Sequence, residues 1–258
     1  MRKEEAKSIL VPESSGLYSC THASRHYSGC CLDCVFCNAT EPVAYTNSPA
    51  LLLKEIPDEG AIALCSGNEE PYQPGEEEIR LTRRVLEVLY HHPNPIHIIT
   101  KSTLVTRDID LLQNACVSFS FVSLDKKMSS ILEPQAPLPQ DRLGAMKSLV
   151  NKGICCGMVF MPILPYITDT PEHIEKMFWA AKEHGASFVI DSPLQLMNKE
   201  PFFKFMEQQP KLRRFLNRYQ RLYKNHSIPY GKIMQNINKV CFDMSKKYDI
   251  ARRWNLKR

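Results

Sequence analysis

The sequence lacks several features that would assign it to a common class of protein. No run of about 18 consecutive apolar residues, the length that marks a membrane span, occurs in the 258-residue chain, so we expect no membrane-spanning helix. The first residues, MRKEEAKSIL, lack the apolar stretch of a secretory signal, so we expect a cytoplasmic protein. The GxGxxG, Walker, GxSxG and HExxH motifs are also absent, so the sequence does not indicate the functions that these motifs mark.

Positive charge is concentrated at one end of the chain. Residues 196–258 contain 16 Lys or Arg and 4 Asp or Glu, a local charge of +12, whereas the whole chain carries only +5. Aromatic residues are interleaved with these basic ones. The pattern is compatible with a nucleic-acid-binding region and equally with a helical cap that has a solvated basic face.

Short apolar segments alternate with helical patterns over residues 1–195. We predict strands at Gly16–Cys20, Ala61–Cys65, Ile96–Thr100, Val117–Val122, Ile154–Met161 and Phe188–Ile190. We predict helices at Pro49–Ile56, Glu77–Tyr90, Arg107–Asn114, Gln140–Lys152 and Pro171–His184. Strand, helix and strand repeated in this way predict parallel strands joined by right-handed crossovers. Periodicity alone does not distinguish a doubly wound sheet from a partial (β/α) barrel. We therefore predict an α/β core over residues 1–195 and a basic helical region over residues 196–258.

Four of the ten cysteines lie between Cys30 and Cys37. Thiolates are soft ligands that suit iron–sulfur clusters and zinc. Cys30, Cys34 and Cys37 have the spacing C-x3-C-x2-C. Three thiolates on a [4Fe–4S] cluster would leave one iron open, and an open iron can chelate an amino and a carboxylate group and pass an electron to a bound sulfonium.

Two other interpretations of these cysteines compete with this one. Cys31, Cys34 and Cys37 have the C-x2-C-x2-C spacing of a bacterial ferredoxin, but the Cys-Pro that should follow is Glu41-Pro42 here. The fourth ferredoxin thiolate is therefore missing, and Cys31 becomes an extra thiol. A zinc site stays open, because Cys20, His22 or His26 could supply a fourth ligand.

Beyond the cysteines, the chain from about Tyr18 to Asp191 resembles the radical S-adenosylmethionine (radical SAM) superfamily and, within it, the spore photoproduct lyase-like group. Five segments resemble family motifs and occur in the family's order: Glu70-Pro71-Tyr72-Gln73-Pro74 with Glu77; Thr100-Lys101-Ser102 with Arg107-Asp108; Ser118 to Asp125; Glu133-Pro134 with Pro137 and Arg142; and Pro162 to Pro165 with Asp169. Any one segment would be weak support, whereas five in order beside the cysteine loop form a specific pattern.

The resemblance implies a fold and a reaction class. The fold is a partial (β/α)6 TIM-like barrel of the radical SAM type with a C-terminal helical extension. The cofactors are one [4Fe–4S] cluster and S-adenosylmethionine, which is cleaved to methionine and a 5′-deoxyadenosyl radical with electrons from an external donor such as flavodoxin or ferredoxin. The substrate stays open: DNA by analogy with the group, or a peptide or small metabolite. A redox or zinc-binding module without this chemistry is the alternative from another class.

Residue roles follow from the same resemblance. Cys30, Cys34 and Cys37 are expected to bind the cluster, with Phe36 packed against the cluster or the adenine. Glu69 and Glu70 fall where the family binds the methionyl amino group, although they replace its usual Thr-Asp pair. Three residues are expected near the carboxylate or ribose: Lys101, Ser120 and Arg142.

The residues that carry out catalysis on the substrate remain unassigned by the sequence. Cys65 lies close to the position of a cysteine that returns a hydrogen atom in the lyase that names the group, but two residues too early. It is therefore only a weak candidate for a hydrogen-atom donor, and a buried strand residue is the simpler interpretation.

Overall fold

The structure, a computed structural model, describes residues 1–64 and 67–255. Its strands are β1 (Arg2–Glu4), β2 (Leu10–Pro12), β3 (His22–Ser24), β4 (Tyr27–Ser28), β5 (Val43–Tyr45), β6 (Ile62–Leu64), β7 (Ile96–Thr100), β8 (Ala115–Phe121), β9 (Cys155–Ile163) and β10 (Val189–Pro193). Its helices are α1 (Ser48–Glu55), α2 (Glu76–Ile79), α3 (Leu81–Leu89), α4 (Lys126–Leu132), α5 (Pro139–Asn151), α6 (Pro171–Glu183), α7 (Glu200–Gln208), α8 (Pro210–Arg213), α9 (Leu216–Leu222) and α10 (Lys232–Lys247). A 3-10 segment covers Thr103–Leu111.

Seven strands form the main sheet in the order β10-β9-β8-β7-β6-β3-β2. Strands β3, β6, β7, β8, β9 and β10 pair in parallel, and β2 adds an antiparallel edge. A small sheet, β1-β5-β4, lies beside it. Six parallel strands with intervening helices form a partial (β/α)6 TIM-like barrel, which confirms the fold expected from the sequence.

The first barrel strand is displaced from its predicted position. The sequence pattern favours Gly16–Cys20, but the strand is His22–Ser24, paired with β6. Gly16 and Ser19 have φ values of 63° and 55°, in the left-handed region, which an extended strand cannot contain. The apolar residues of this segment therefore belong to a loop that packs into the barrel.

Helix α6 shows how local sequence sets an element's boundaries. The Thr170 side chain accepts a hydrogen bond from the His173 amide at 3.2 Å, and Pro171 occupies the first turn. Gly185 follows the helix with a φ of 81°, a conformation that glycine adopts without strain. A Cβ at Gly185 would approach Val150 Cγ1 at 2.7 Å, so this position also requires a close approach.

Two apolar layers lie on the two faces of the main sheet. The larger one fills the space between the strands and the surrounding helices, and includes Leu64, Ile98 and Phe178. The smaller one fills the base of the barrel interior and includes Cys116, Phe188 and Trp254. The barrel interior is therefore packed at its base, which leaves room for a cavity at the other end.

The C-terminal helices pack against the barrel at two places. Leu194, Leu212 and Tyr219 belong to one apolar cluster that covers the ends of β9 and β10. Further along, Ile237 and Cys241 of α10 join the layer between sheet and helices. No helix within the described ranges is long and apolar enough to cross a bilayer.

Candidate active site

A cavity of about 300 Å³ opens at the carboxyl ends of the barrel strands. Residues from the ends of four strands line it: Ile99 to Lys101, Ser120, Val159 with Met161 and Pro162, and Ser192 to Leu194. The loop after β4 closes one side with Cys30, Cys34 and Cys37. In barrels of this kind, the carboxyl ends of the strands are where active sites form.

Backbone hydrogen bonds fix the cysteine loop. The Cys30 amide donates to the Thr40 carbonyl oxygen at 3.0 Å, which closes the loop into a ring. A Cβ at Gly29, whose φ is 71°, would lie 2.4 Å from the Thr40 carbonyl oxygen, so only glycine permits this closure. The Gln73 side chain accepts from the Cys31 amide at 3.2 Å and donates to the Gly29 carbonyl at 3.1 Å.

A second set of contacts anchors the far side of the same loop. The Val35 amide donates to the Leu132 carbonyl at 3.0 Å, and the Gln135 amide donates to the Leu32 carbonyl at 3.3 Å. Phe36 lines the cavity and also packs on the apolar cluster beneath the C-terminal helices. The loop is therefore held from both sides before any cofactor binds.

The donor set fits an iron–sulfur cluster. Among the described residues around the cavity, Cys30, Cys34 and Cys37 contribute thiols and Cys31 does not. Burial raises the pKa of Cys30 to about 12 and that of Cys34 to about 11, so binding of metal must displace their protons. No three Cys, His, Asp or Glu side chains in residues 1–64 and 67–255 are arranged to hold one single ion. Cluster thiolates each bind a different iron, so they need not converge on one point.

The Glu70 carboxylate is buried beside the cavity and joins two of its loops. It accepts hydrogen bonds from the Tyr72 amide at 2.9 Å, the Lys101 amide at 2.8 Å and the Thr100 hydroxyl. Burial raises its pKa, and these three hydrogen bonds oppose that shift. Glu70 thus connects the loop after β6 to the end of β7.

Glu69 and Lys101 bring opposite charges to the cavity wall. Glu69 lies 3.8 Å from the Arg25 guanidinium, and burial raises the pKa of its carboxyl group. The Lys101 ammonium lies 3.8 Å from Glu133. Burial alone would lower the pKa of Lys101, but the Cys34 sulfur and Glu133 raise it above its ordinary value. The wall therefore holds a carboxylate and an ammonium beside the thiols.

The structure brings eight of the nine residues predicted for the site to this cavity: Cys30, Cys34, Cys37, Phe36, Glu69, Glu70, Lys101 and Ser120. Arg142 is the exception. It is fully buried in α5, and its guanidinium donates to the Ser120 and Pro137 carbonyls and to Glu133. Arg142 therefore lies behind the cavity wall and supports it through these hydrogen bonds. Cys65 lies outside the described residues.

Sequence reasoning missed part of this site. Asn68, Gln195 and Met197 also line the cavity, and Met197 is 73% exposed at its mouth. No residue pattern marks these loop positions. Glu76, rather than its neighbour Glu77, is the buried acid of its segment: it accepts from the Tyr27 hydroxyl and from the Arg107 guanidinium. Glu76 lies two residues after Pro74, so the P-x-E spacing that follows Gln73 could have identified it.

Comparison with known proteins agrees with this arrangement. The Radical SAM superfamily domain matches residues 24–178. An uncharacterised protein of Mycobacterium tuberculosis (strain H37Rv) is 28% identical over 195 residues, which cover 66% of this chain and 57% of that protein. An uncharacterised protein of Methanocaldococcus jannaschii is 28% identical over 158 residues, 55% of this chain and 60% of that protein. The chain thus spans less than two thirds of these relatives.

Solved structures share the fold. A point mutant of spore photoproduct lyase superposes with a TM-score of 0.75 and 15% identity, over 98% of this chain and 82% of that one. Streptococcus suis SuiB bound to S-adenosylmethionine superposes with a TM-score of 0.58 and 14% identity, over 85% of this chain and 46% of SuiB. Together with the domain match, the cysteine loop and the partial barrel, these findings show that the chain belongs to the radical SAM superfamily.

Proposed function

We propose that this chain is a radical SAM enzyme that reductively cleaves S-adenosylmethionine at a [4Fe–4S] cluster bound by Cys30, Cys34 and Cys37. The observation that carries the proposal is one cavity lined by these three thiols together with Glu69 and Lys101. When bound, the cluster and S-adenosylmethionine supply a 5′-deoxyadenosyl radical that abstracts hydrogen from a substrate. The cofactors would supply the radical chemistry, and the protein would bind and orient them.

The residues of the chain would orient S-adenosylmethionine by charge. The methionyl part carries an ammonium and a carboxylate, and the wall offers Glu69 as an anion and Lys101 as a cation. Glu70 already accepts three hydrogen bonds from the protein, so its role in the proposal is to position the loop that carries Glu69 and the backbone at Lys101. Apolar residues such as Ile99, Val159 and Met161 would exclude water from the reacting atoms.

Anaerobic reconstitution tests this proposal. The chain, loaded with iron and sulfide, should become brown and air-sensitive with about four irons, the content of a [4Fe–4S] cluster. Dithionite and S-adenosylmethionine should then yield 5′-deoxyadenosine, measured by chromatography. A colourless chain that binds zinc, or a cluster that never cleaves S-adenosylmethionine, would refute the proposal in favour of a binding or electron-transfer module.

Radical SAM enzymes need an external reductant, and we propose a small reducing protein, flavodoxin or ferredoxin, in that role. Replacing dithionite with either reduced protein should support formation of 5′-deoxyadenosine. Failure of both, with dithionite still active, would point to a different donor.

For the substrate, we propose a nucleic acid strand that binds a groove in the C-terminal region. Tyr166, Arg218, Arg221, Tyr230 and Lys232 line this groove, which we call the basic groove. The Arg218 guanidinium lies 5.4 Å from the centre of the Tyr166 ring, and Tyr230 is 51% exposed. An exposed ring, Tyr230, and a half-buried ring, Tyr166, among cations suit the stacked bases and phosphates of a single strand.

The position of the basic groove supports this choice of substrate. Tyr166 follows Pro162, which lines the cavity, by four residues, so their Cα atoms are at most ~14 Å apart. Tyr219 and Tyr223 donate hydrogen bonds to the Pro165 and Leu194 carbonyls at 2.8 and 2.9 Å, which fixes α9 beside the mouth. Asp169 also lies near Tyr166, and its charge opposes an anion there.

Salt-dependent binding of a short fluorescent single-stranded DNA tests the groove. In Arg218→Ala/Arg221→Ala, the slope of log affinity against log salt should fall by roughly 1.4, about 0.7 for each phosphate that the protein no longer neutralises. The control, Lys147→Ala/Lys152→Ala, removes the same charge from α5 and the residue after it, away from the groove. Equal decreases in both variants, or no binding at low salt, would refute the nucleic-acid proposal and favour a peptide or small metabolite as substrate.

A further inference from the structure

Two cysteines near the base of the barrel lie closer together than their separation of 39 residues suggests. Cys116 is the second residue of β8, and Cys155 is the first residue of β9. The two residues are partners in the parallel register of these strands. Their Sγ atoms are 3.3 Å apart. Neither residue has a part in the proposed radical chemistry, which takes place at the opposite ends of the same strands.

The backbone spacing at this pair suits a disulfide bond. Neighbouring strands lie about 4.7–4.9 Å apart, inside the range of about 4.4–6.8 Å that disulfides span between Cα atoms. An S–S bond of about 2.05 Å requires the two sulfur atoms to approach by about 1.3 Å from their present 3.3 Å. Side-chain rotation at the first residue of β9 can supply this movement without separating the strands.

The two thiols differ in access to solvent. Cys155 is exposed, whereas Cys116 is 1% exposed and packs in the base of the barrel interior. A small molecule can therefore reach Cys155 first. Burial raises the pKa of the Cys116 thiol, so this thiol reacts slowly by itself, but its contact with Cys155 makes attack on that sulfur intramolecular.

We propose that Cys116 and Cys155 are a redox-active dithiol that forms a disulfide with small-molecule disulfides as the oxidant. The Cys155 thiolate attacks one sulfur of the oxidant, forms a mixed disulfide and releases one small thiolate, which takes up the proton that Cys155 lost. The Cys116 sulfur then attacks the Cys155 sulfur, and its proton passes to the second small thiolate, which leaves as a thiol. Two protein thiols lose two electrons, and one small disulfide becomes two small thiols.

Neighbouring cysteines make the pairing specific and testable. Cys156 follows Cys155 but faces the other side of the sheet, where its Sγ lies 3.9 Å from the Met146 carbonyl oxygen. Cys20 lies in the same apolar cluster as Cys116, and its Sγ lies 3.4 Å from the Tyr18 carbonyl oxygen. Both are buried, so both are poorer first targets than Cys155.

The test uses the full chain with its iron and sulfide reconstituted, treated anaerobically with oxidised glutathione. Remaining thiols are alkylated in denaturant, and the peptides are mapped by mass spectrometry. We expect a Cys116–Cys155 cross-link that dithiothreitol reverses. Cys116→Ser should leave glutathione attached to Cys155, Cys155→Ser should leave Cys116 as a thiol, and the control Cys156→Ser should retain the cross-link.

A second version of the experiment removes interference from the cluster loop. The variant with Cys30, Cys34 and Cys37 all changed to Ala should give the same cross-link, because the dithiol is at the other end of the barrel. Glutathione that stays on Cys155 in the unaltered chain would overturn the proposal. So would alkylation of both cysteines after treatment, or a cross-link from Cys155 to Cys20 or Cys156. None of these outcomes depends on whether the chain cleaves S-adenosylmethionine.

Discussion

Arg142 and Glu133 form an ion pair that is completely removed from solvent. The guanidinium and the carboxylate are 2.7 Å apart, and both side chains are 0% exposed. Two further donations, to the Ser120 carbonyl at 2.6 Å and the Pro137 carbonyl at 2.8 Å, satisfy the arginine. The other Glu133 oxygen has no hydrogen-bond partner and lies 3.8 Å from the Lys101 ammonium. The pair therefore supports Lys101 from inside the fold.

Loss of Arg142 should destabilise the protein strongly. Arg142→Met leaves Glu133 charged and buried without its main partner, which should lower the free energy of unfolding by about 3–5 kcal/mol in urea titrations. Adding Glu133→Gln should restore part of this stability, since the pair is coupled and the double variant should be less than additive. A change below about 0.5 kcal/mol, as expected for an ordinary surface residue, would contradict the buried position.

Cys31 and Cys34 allow a matched test of the cluster ligands. Cys34 lines the cavity, whereas Cys31 does not. Cys31→Ala should retain most of the iron after reconstitution, and Cys34→Ala should lose the cluster, as measured by iron content and absorbance. The reverse result would mean that the ferredoxin-like spacing, with Cys31 as a ligand, is the correct one.

At the scale of residues, short-range patterns predicted the position of the site better than its details. The cysteine spacing and the strand-end motifs identified eight residues that line the cavity, because both depend on local sequence and on where strands end. Arg142 was expected at the cavity but is buried behind it, since nothing in a single sequence shows which side of a helix faces a charged partner. The contribution of Met197 depends on the path of a loop after β10.

At the scale of elements, the last residues of the described chain are part of the barrel. Ala251 bridges to Phe188 in parallel fashion, and Trp254 lies 4.7 Å from the His97 ring, between ring centres. The Arg252 guanidinium donates a hydrogen bond to the Asp191 carboxylate at 2.7 Å. We propose residues 1–195 and 196–258 as two regions of different composition that share one apolar core, so that neither is expected to fold alone.

The two tryptophans provide a matched test of whether the two regions share one apolar core. Trp254 is 8% exposed, and Trp179, on α6, is 51% exposed. Trp254→Ala should lower the free energy of unfolding by about 3–5 kcal/mol, because it opens a cavity at the base of the barrel. Trp179→Ala should change it by less than about 0.5 kcal/mol. Similar small effects for both variants in denaturant titrations would show that the C-terminal residues are not docked.

Most helices and strands could be predicted from their apolar periodicity and from the residues that begin and end them. Interruptions within a helix could not. The predicted helix over Glu77–Tyr90 is two helices, because Arg80 has a φ of 52°. Helix α4 was missed, since its seven residues are too few to show a clear apolar period. Interruptions of this kind depend on tertiary packing, which outweighs local preference.

At the scale of the whole molecule, two buried histidines make stability depend on pH. Burial lowers the pKa of His26 and of His97 to about 4 from the ordinary 6.5. The folded protein therefore keeps both neutral while the unfolded chain takes up protons below pH 6.5. Their stabilising contribution is full above that pH, falls as the pH decreases towards about 4, and amounts to about 3 kcal/mol each.

Replacement of one histidine isolates this effect. The neutral His97 ring donates from Nδ1 to the Tyr18 carbonyl oxygen at 3.2 Å and accepts at Nε2 from the Ser118 hydroxyl at 2.8 Å, and His97→Gln can satisfy the same groups. The variant should lose less stability than the unaltered chain between pH 6.5 and pH 4, measured by thermal unfolding. His91→Gln, at an exposed position, is the control and should follow the unaltered chain. Parallel curves for all three proteins would contradict a neutral buried His97.

The packed base of the barrel interior also affects the order of events under the proposed function. Within the described residues, Phe188, His97 and Trp254 fill that base, while the cavity opens at the other end. Reducing protein, S-adenosylmethionine and substrate would then all arrive through one entrance. A long substrate seated across that entrance would block the reducing protein, so electron delivery has to come first, and excess substrate should slow it.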